Sequence, residues 1–159
     1  MTSNALSSLR STSSTLLKQI LLLLAFMGVM SSSALAQGFS AAVDLTAQDT
    51  YQGMQDDDLV LIDVRTPEEW AQTGIAEGAH PISMLDREFL NQLALLQEEN
   101  PGKRVAFICA SGRRSALVQA ELERRGYENI YSVYGGTTGS RNAPGWIREG
   151  LPISPWSAN

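Results

Sequence analysis

Cys109, the only cysteine in 159 residues, follows the apolar run Val105-Ala106-Phe107-Ile108 and opens the turn Cys109-Ala110-Ser111-Gly112-Arg113-Arg114. A thiol delivered by an apolar strand to the start of a helix is placed to act as a nucleophile. The unpaired N–H groups of a helix's first turn and the helix dipole favour negative charge, so they stabilise a thiolate and hold an anionic substrate. Arg113 and Arg114 add positive charge within five residues of the sulfur. Cys109 is therefore the candidate catalytic residue. Ala110, Ser111, Gly112, Arg113, Arg114 and Ser115, near which the helix is predicted to begin, are the candidates for substrate binding. The plainer reading of a lone cysteine is a small buried hydrophobe. A polar, dibasic turn with a glycine weighs against it, being poor core material and good anion-binding material.

The elements that must position this turn are legible as apolar runs alternating with amphipathic stretches. A short strand is expected over Ala42–Leu45, a helix over Ala47–Met54 and a strand over Leu59–Asp63. Thr66-Pro67-Glu68-Glu69 starts a helix, with Thr66 as N-cap, Pro67 at its first position and Glu69 completing a capping box; it ends near Gly74. A brief strand follows at His80–Ile82. The next helix, Leu85–Glu99, places Leu85, Phe89, Leu93 and Leu96 on one face and is stopped by Asn100-Pro101-Gly102. The Arg104–Ile108 strand, the cysteine turn, a Ser115–Arg125 helix capped by Gly126 and an Ile130–Val133 strand complete the order. Strands alternating with helices predict an α/β domain, a parallel sheet with helices on both faces.

The N-terminus reads differently. Residues 1–36 carry Arg10 and Lys18 and no acid, an apolar block from Ile20 to Met30, and the small-x-small pattern Ala34-Leu35-Ala36, which together make a secretory signal peptide. The block is shorter than the roughly 20 apolar residues a membrane-spanning helix needs. No cysteine follows it, so a lipoprotein anchor is excluded, and its compactness argues against an organelle transit peptide. Cleavage after Ala36 removes two positive charges and takes the formal charge from −5 to −7, leaving residues 37–159 as one domain without an internal disulfide. The periplasm is the expected compartment, with extracellular release the alternative. An unpaired cysteine in an oxidising compartment needs a reason, and reactivity is the simplest. The acidic balance argues against nucleic acid or an anionic membrane surface as partner. No heptad or large apolar face stands out, so a monomer is the default.

Taken together, Leu61-Ile62-Asp63-Val64-Arg65-Thr66-Pro67-Glu68-Glu69-Trp70, then Gly74…Gly78-Ala79, then Cys109-Ala110-Ser111-Gly112-Arg113-Arg114-Ser115 resemble a single-domain rhodanese of the exported, periplasmic type. The resemblance extends through Gly126-Tyr127 and Gly135-Gly136 to Gly150-Leu151-Pro152-Ile153, a core of about residues 43–153. It implies a three-layer rhodanese-like domain and a thiosulfate-type sulfurtransferase. The Cys109 thiolate would take a sulfane sulfur from a small anionic donor, hold it as a persulfide and pass it to cyanide or a thiol, with no metal or organic cofactor. Arg114 occupies the arginine of the family's Cys-x-x-Gly-x-Arg-Ser pattern and Arg113 its variable position.

Two departures stand out. Gly74-Ile75-Ala76-Glu77-Gly78-Ala79 lacks the histidine of the usual Gly-His-Ile-x-Gly-Ala stretch. Thr137–Gly145 lengthens the interval between Gly136 and Trp146, and would narrow the pocket, supply Arg141 to an anion, or form a plain surface loop.

The remaining candidates favour structural roles. Asp63 and Arg65, at a strand's C-terminal edge, are a second rank behind Cys109, with a structural role the preferred reading because buried-edge charges are usually paired. His80 has no ligand-spaced neighbour; Trp70, Trp146 and Trp156 read as packing groups, and Asp56-Asp57-Asp58 as a solvated turn rather than a calcium loop. Two other functions stay open. One is a non-enzymatic persulfide carrier or redox-sensing binding module. The other is a rhodanese-fold phosphatase, ranked lower because Cys109 to Arg114 is Cys-x4-Arg, where the phosphatases have Cys-x5-Arg.

Overall fold

The computed structural model describes residues 44–157. Helix α1 (Ala47–Gln55) is capped by Thr46, whose hydroxyl accepts the Asp49 N–H. The acidic turn after it is ion-paired rather than merely solvated: Asp57 meets Lys103 and Asp58 meets Arg104. These pairs join the starts of β1 (Leu59–Asp63) and β4 (Arg104–Ile108), the two central strands. Helix α2 (Pro67–Thr73) carries the expected capping box between Thr66 and Glu69. Strands β2 (Ile75–Ala76) and β3 (His80–Pro81), then helix α3 (Phe89–Glu99), precede β4. Helix α4 (Arg113–Arg124), strand β5 (Ile130–Ser132), a helical turn α5 (Gly145–Arg148) and β6 (Ile153–Ser154) follow it.

The main sheet runs β3-β1-β4-β5, every pair parallel. β1 and β4 are in register over five residues, from Leu59 beside Arg104 to Asp63 beside Ile108. Every β1 residue is buried, as expected for a parallel strand covered on both faces. Val60, Ile62, Val105 and Phe107 pack with Leu93 and Leu96 of α3 and Val118 and Leu122 of α4. Leu59, Leu61, Ala106 and Ile108 pack on the other face with Ala47 of α1 and Trp146 of α5. The predicted three-layer α/β arrangement is therefore the observed one. Each Val, Leu, Ile or Phe side chain buried this way contributes about 1.5–3 kcal/mol.

The differences from the sequence expectation are local. Of the strand expected at Ala42–Leu45, residues 42 and 43 lie outside the described residues, and Leu45 forms a single parallel bridge to Val133, one residue beyond the end of β5 at Ser132. α3 begins at Phe89, not Leu85, and Leu85 is 74% exposed. The Ser83 hydroxyl takes the Leu85 N–H and the Asp86 carboxylate takes the Glu88 N–H, and these local turns compete with helix. α4 begins at Arg113, two residues before Ser115, because Gly112 turns the chain at φ 90 as its N-cap. At its far end Arg125 is the cap residue and Gly126, at φ 88, follows it. The antiparallel pair β2–β6 and the turn α5 were not foreseen. The signal peptide assigned to residues 1–36 lies outside the described residues.

Candidate active site

The chain leaves β1 toward β3 and leaves β4 toward β5, so the carboxyl ends of β1 and β4 form a topological switch point, where open α/β sheets place ligands. Cys109 is the first residue beyond β4. It is 1% exposed and packs with the apolar cluster beneath α3 and α4. The buried-hydrophobe reading thus describes its surroundings, but not its polar contact: the Ser115 hydroxyl lies 3.6 Å from the sulfur. That hydroxyl also reaches the Gly112 carbonyl at 3.0 Å and the Ser132 hydroxyl at 2.9 Å. From Ala110 to Ser115, the backbone N–H groups donate to no protein acceptor among the described residues. This run of donors ahead of a twelve-residue helix suits an anion.

The Cys109 and Ala110 carbonyls of the same turn are both engaged. Thr137 N–H donates to Cys109 O at 2.7 Å, and Thr138 donates its N–H and its hydroxyl to Ala110 O at 2.9 and 3.0 Å. Arg148 in turn donates to the Thr138 carbonyl. Gly136 makes this approach possible: at φ 60, a Cβ there would stand 2.2 Å from Cys109 O. The start of the 137–145 insertion is therefore a strap stitched to the cysteine turn, while Arg141 stays exposed with no ion pair among the described residues.

The two arginines have different fates. Arg113 is exposed. Arg114 makes a two-pronged contact with Glu69, Nη1 to Oε2 at 2.8 Å and Nη2 to Oε1 at 2.5 Å. The Arg114 guanidinium, helped by the Thr66 N–H, holds the Glu69 carboxyl below its ordinary range. Glu69 raises Arg114 in return, with a smaller push from Cys109.

The second-rank residue Arg65 reaches the Glu69 backbone carbonyl through Nη1 at 3.4 Å. Arg65 is 1% exposed, donates through Nε and Nη2 to Asp63, and extends Nη1 to the Thr73 hydroxyl and Nη2 to the Gly74 carbonyl, both at 2.7 Å. Asp63 and Arg65 thus fasten the end of α2 to β1, the structural role preferred from sequence. His80 lies on the edge strand β3 beside Ile62. Trp70 packs edge-on against Trp156, and Trp146 against Tyr51.

Sequence reasoning passed over Ser132, Thr137, Thr138 and Glu69's second role. Ser132 was visible as a polar residue inside an apolar strand, and Gly135-Gly136 marked a close backbone approach. The 45 residues separating Glu69 from Arg114 left no local signal.

The model of the rhodanese-like domain matches residues 46–143. A thiosulfate sulfurtransferase, GlpE, of Actinobacillus succinogenes is 29% identical over 113 residues, which cover 71% of this chain and 91% of that protein. A sulfurtransferase of Allochromatium vinosum is 34% identical over 98 residues, 61% of this chain and 79% of its own. The crystal structure of a rhodanese-related protein from Thermoplasma volcanium matches with a TM-score of 0.53 at 29% identity, over 71% of this chain and 98% of that one. With more than half of its length matched and its cysteine turn at the carboxyl edge of a three-layer parallel sheet, this chain belongs to the rhodanese-like domain family.

Proposed function

We propose that this protein is a sulfurtransferase that carries sulfur as a persulfide on Cys109, from thiosulfate or a similar small anionic donor to cyanide or a thiol. The observation that carries this reading is the turn after β4, where a lone thiol precedes six backbone N–H groups that no described protein atom accepts. The Cys109 thiolate attacks the outer sulfur of thiosulfate. The S–S bond of the donor breaks, sulfite leaves with the bonding electrons, and Cys109 holds a terminal sulfur anion. Cyanide then attacks that sulfur, the persulfide bond breaks, and thiocyanate leaves with the thiolate restored. This is two-step covalent catalysis with ping-pong kinetics. The N–H groups and exposed Arg113 suit the dianionic donor and the anionic persulfide. The scheme uses no cofactor. The Ile20–Met30 block and Ala34-Leu35-Ala36 support export to the periplasm, where the mature chain acts as a monomer.

The near-complete burial of Cys109 favours a second reading, a carrier that unloads only to a fitting acceptor. Turnover with free cyanide separates enzyme from carrier. The phosphatase reading is further weakened by Glu69, which occupies the arginine a phosphate would need.

The first test is the intact mass of the protein after incubation with thiosulfate, beside Cys109→Ser. A gain of one sulfur atom, reversed by cyanide and missing in the variant, is the expected result. No gain on a thiol shown to be free overturns the thiosulfate reading.

A further inference from the structure

Ser115 and Ser132 form a buried hydroxyl pair beneath the cysteine, both 0% exposed and 2.9 Å apart. Ser115 has one hydrogen and three neighbours that could receive it: Cys109 Sγ, the Gly112 carbonyl and Ser132 Oγ. The direction of the Ser115–Ser132 bond settles which of them do. Among the described residues the Ser132 hydroxyl has no other partner. If Ser115 donated to Ser132, the Ser132 hydrogen would be buried without an acceptor, an arrangement folded proteins avoid. Ser132 is therefore the donor, and the Ser115 hydrogen is left for Gly112 O or the sulfur. Gly112 O accepts the Ala116 N–H and, with a second lone pair at 3.0 Å, competes with the sulfur as a neutral acceptor. A negatively charged sulfur is then the acceptor that gains most from the hydroxyl.

We propose that Ser132, at the end of β5, is a positioning residue for Cys109: by donating to Ser115 it turns the Ser115 hydroxyl toward the sulfur and favours its anionic form. The proposal deepens the sulfurtransferase reading, on which its catalytic meaning rests, but its physical content concerns the sulfur alone and is tested without any donor.

The test is the pH dependence of iodoacetamide alkylation of Cys109 in the wild-type protein, Ser132→Ala and Ser132→Thr, with thermal melts alongside. Ser132→Val, which fills the space and deletes the same hydroxyl, replaces the alanine variant if that variant does not hold its fold. The expected result is a profile midpoint about half to one pH unit higher without the hydroxyl, with alkylation below the midpoint about three- to tenfold slower. Ser132→Thr, which keeps the hydroxyl, should restore the wild-type midpoint. An unchanged midpoint, whatever happens to the melting temperature, overturns the proposal, because a merely structural serine alters stability and not the profile. The intact-mass experiment fails or succeeds separately: a shifted midpoint in a protein that takes no sulfur from thiosulfate keeps Ser132 in its role and removes the donor.

Discussion

Glu69 serves two partners at once, taking the Thr66 N–H at the start of α2 and the Arg114 guanidinium from α4. Its depressed pKa fixes the sign of its pH dependence: the stabilisation is present above the unfolded carboxylate value of about 4.3 and disappears as the pH falls through the lower folded value. Glu69→Gln should cost about 0.5–1.5 kcal/mol at pH 7, since the pair is partly exposed. In melts followed from pH 7 down to pH 3, its gap from the wild type should close toward the acid end; a gap independent of pH would show that the charge does not matter. Loss of the carboxylate also leaves the Arg114 guanidinium without this partner. Half of this residue's job was readable from sequence, because a capping box is a local spacing. The other half was not, because the Glu69–Arg114 pair exists only once β1 and β4 lie side by side. Cys109 was legible for the opposite reason: the residues that give it meaning are its immediate neighbours.

Strand, turn and strap act as a unit at the next scale. The Gly136 backbone lies so close to the cysteine turn that an alanine there must displace Cys109 O, Ala110 or Ser111, and must do so at a positive φ. Gly136→Ala should lower stability by about 2 kcal/mol or more in a denaturant titration. Iodoacetamide alkylation of Cys109 should also speed up as the Thr137 and Thr138 bonds loosen; an unchanged alkylation rate would mean that the strap does not govern access. At this scale β1 and β4 were read to the residue, because a strand buried on both faces is written as an unbroken apolar run. The two-residue strands β2 and β6 carry too little pattern to be seen, and arise from a pairing across the chain between Ile75 and Ser154. The start of α3 was misplaced because Leu85 continues the helical period while Ser83 and Asp86 bind the backbone locally into turns.

For the molecule as a whole, a four-stranded parallel sheet sets a lone thiol at its carboxyl edge and then nearly closes over it, at 1% exposure. A formal charge of −5 over the full sequence repels small anions at long range, so any attraction at this turn rests on its local N–H groups and Arg113. The same closure governs how chemists would count this protein. With one cysteine per chain, a thiol titration has a single site to register. A bulky aromatic disulfide reagent should find far less than one thiol per native molecule and one per molecule in denaturant, while iodoacetamide reaches the native thiol slowly; equal speed for both reagents on the native chain would contradict the burial. A survey that ranks cysteines by their reaction with large probes would grade Cys109 as inert, and would pass over the only thiol the protein has.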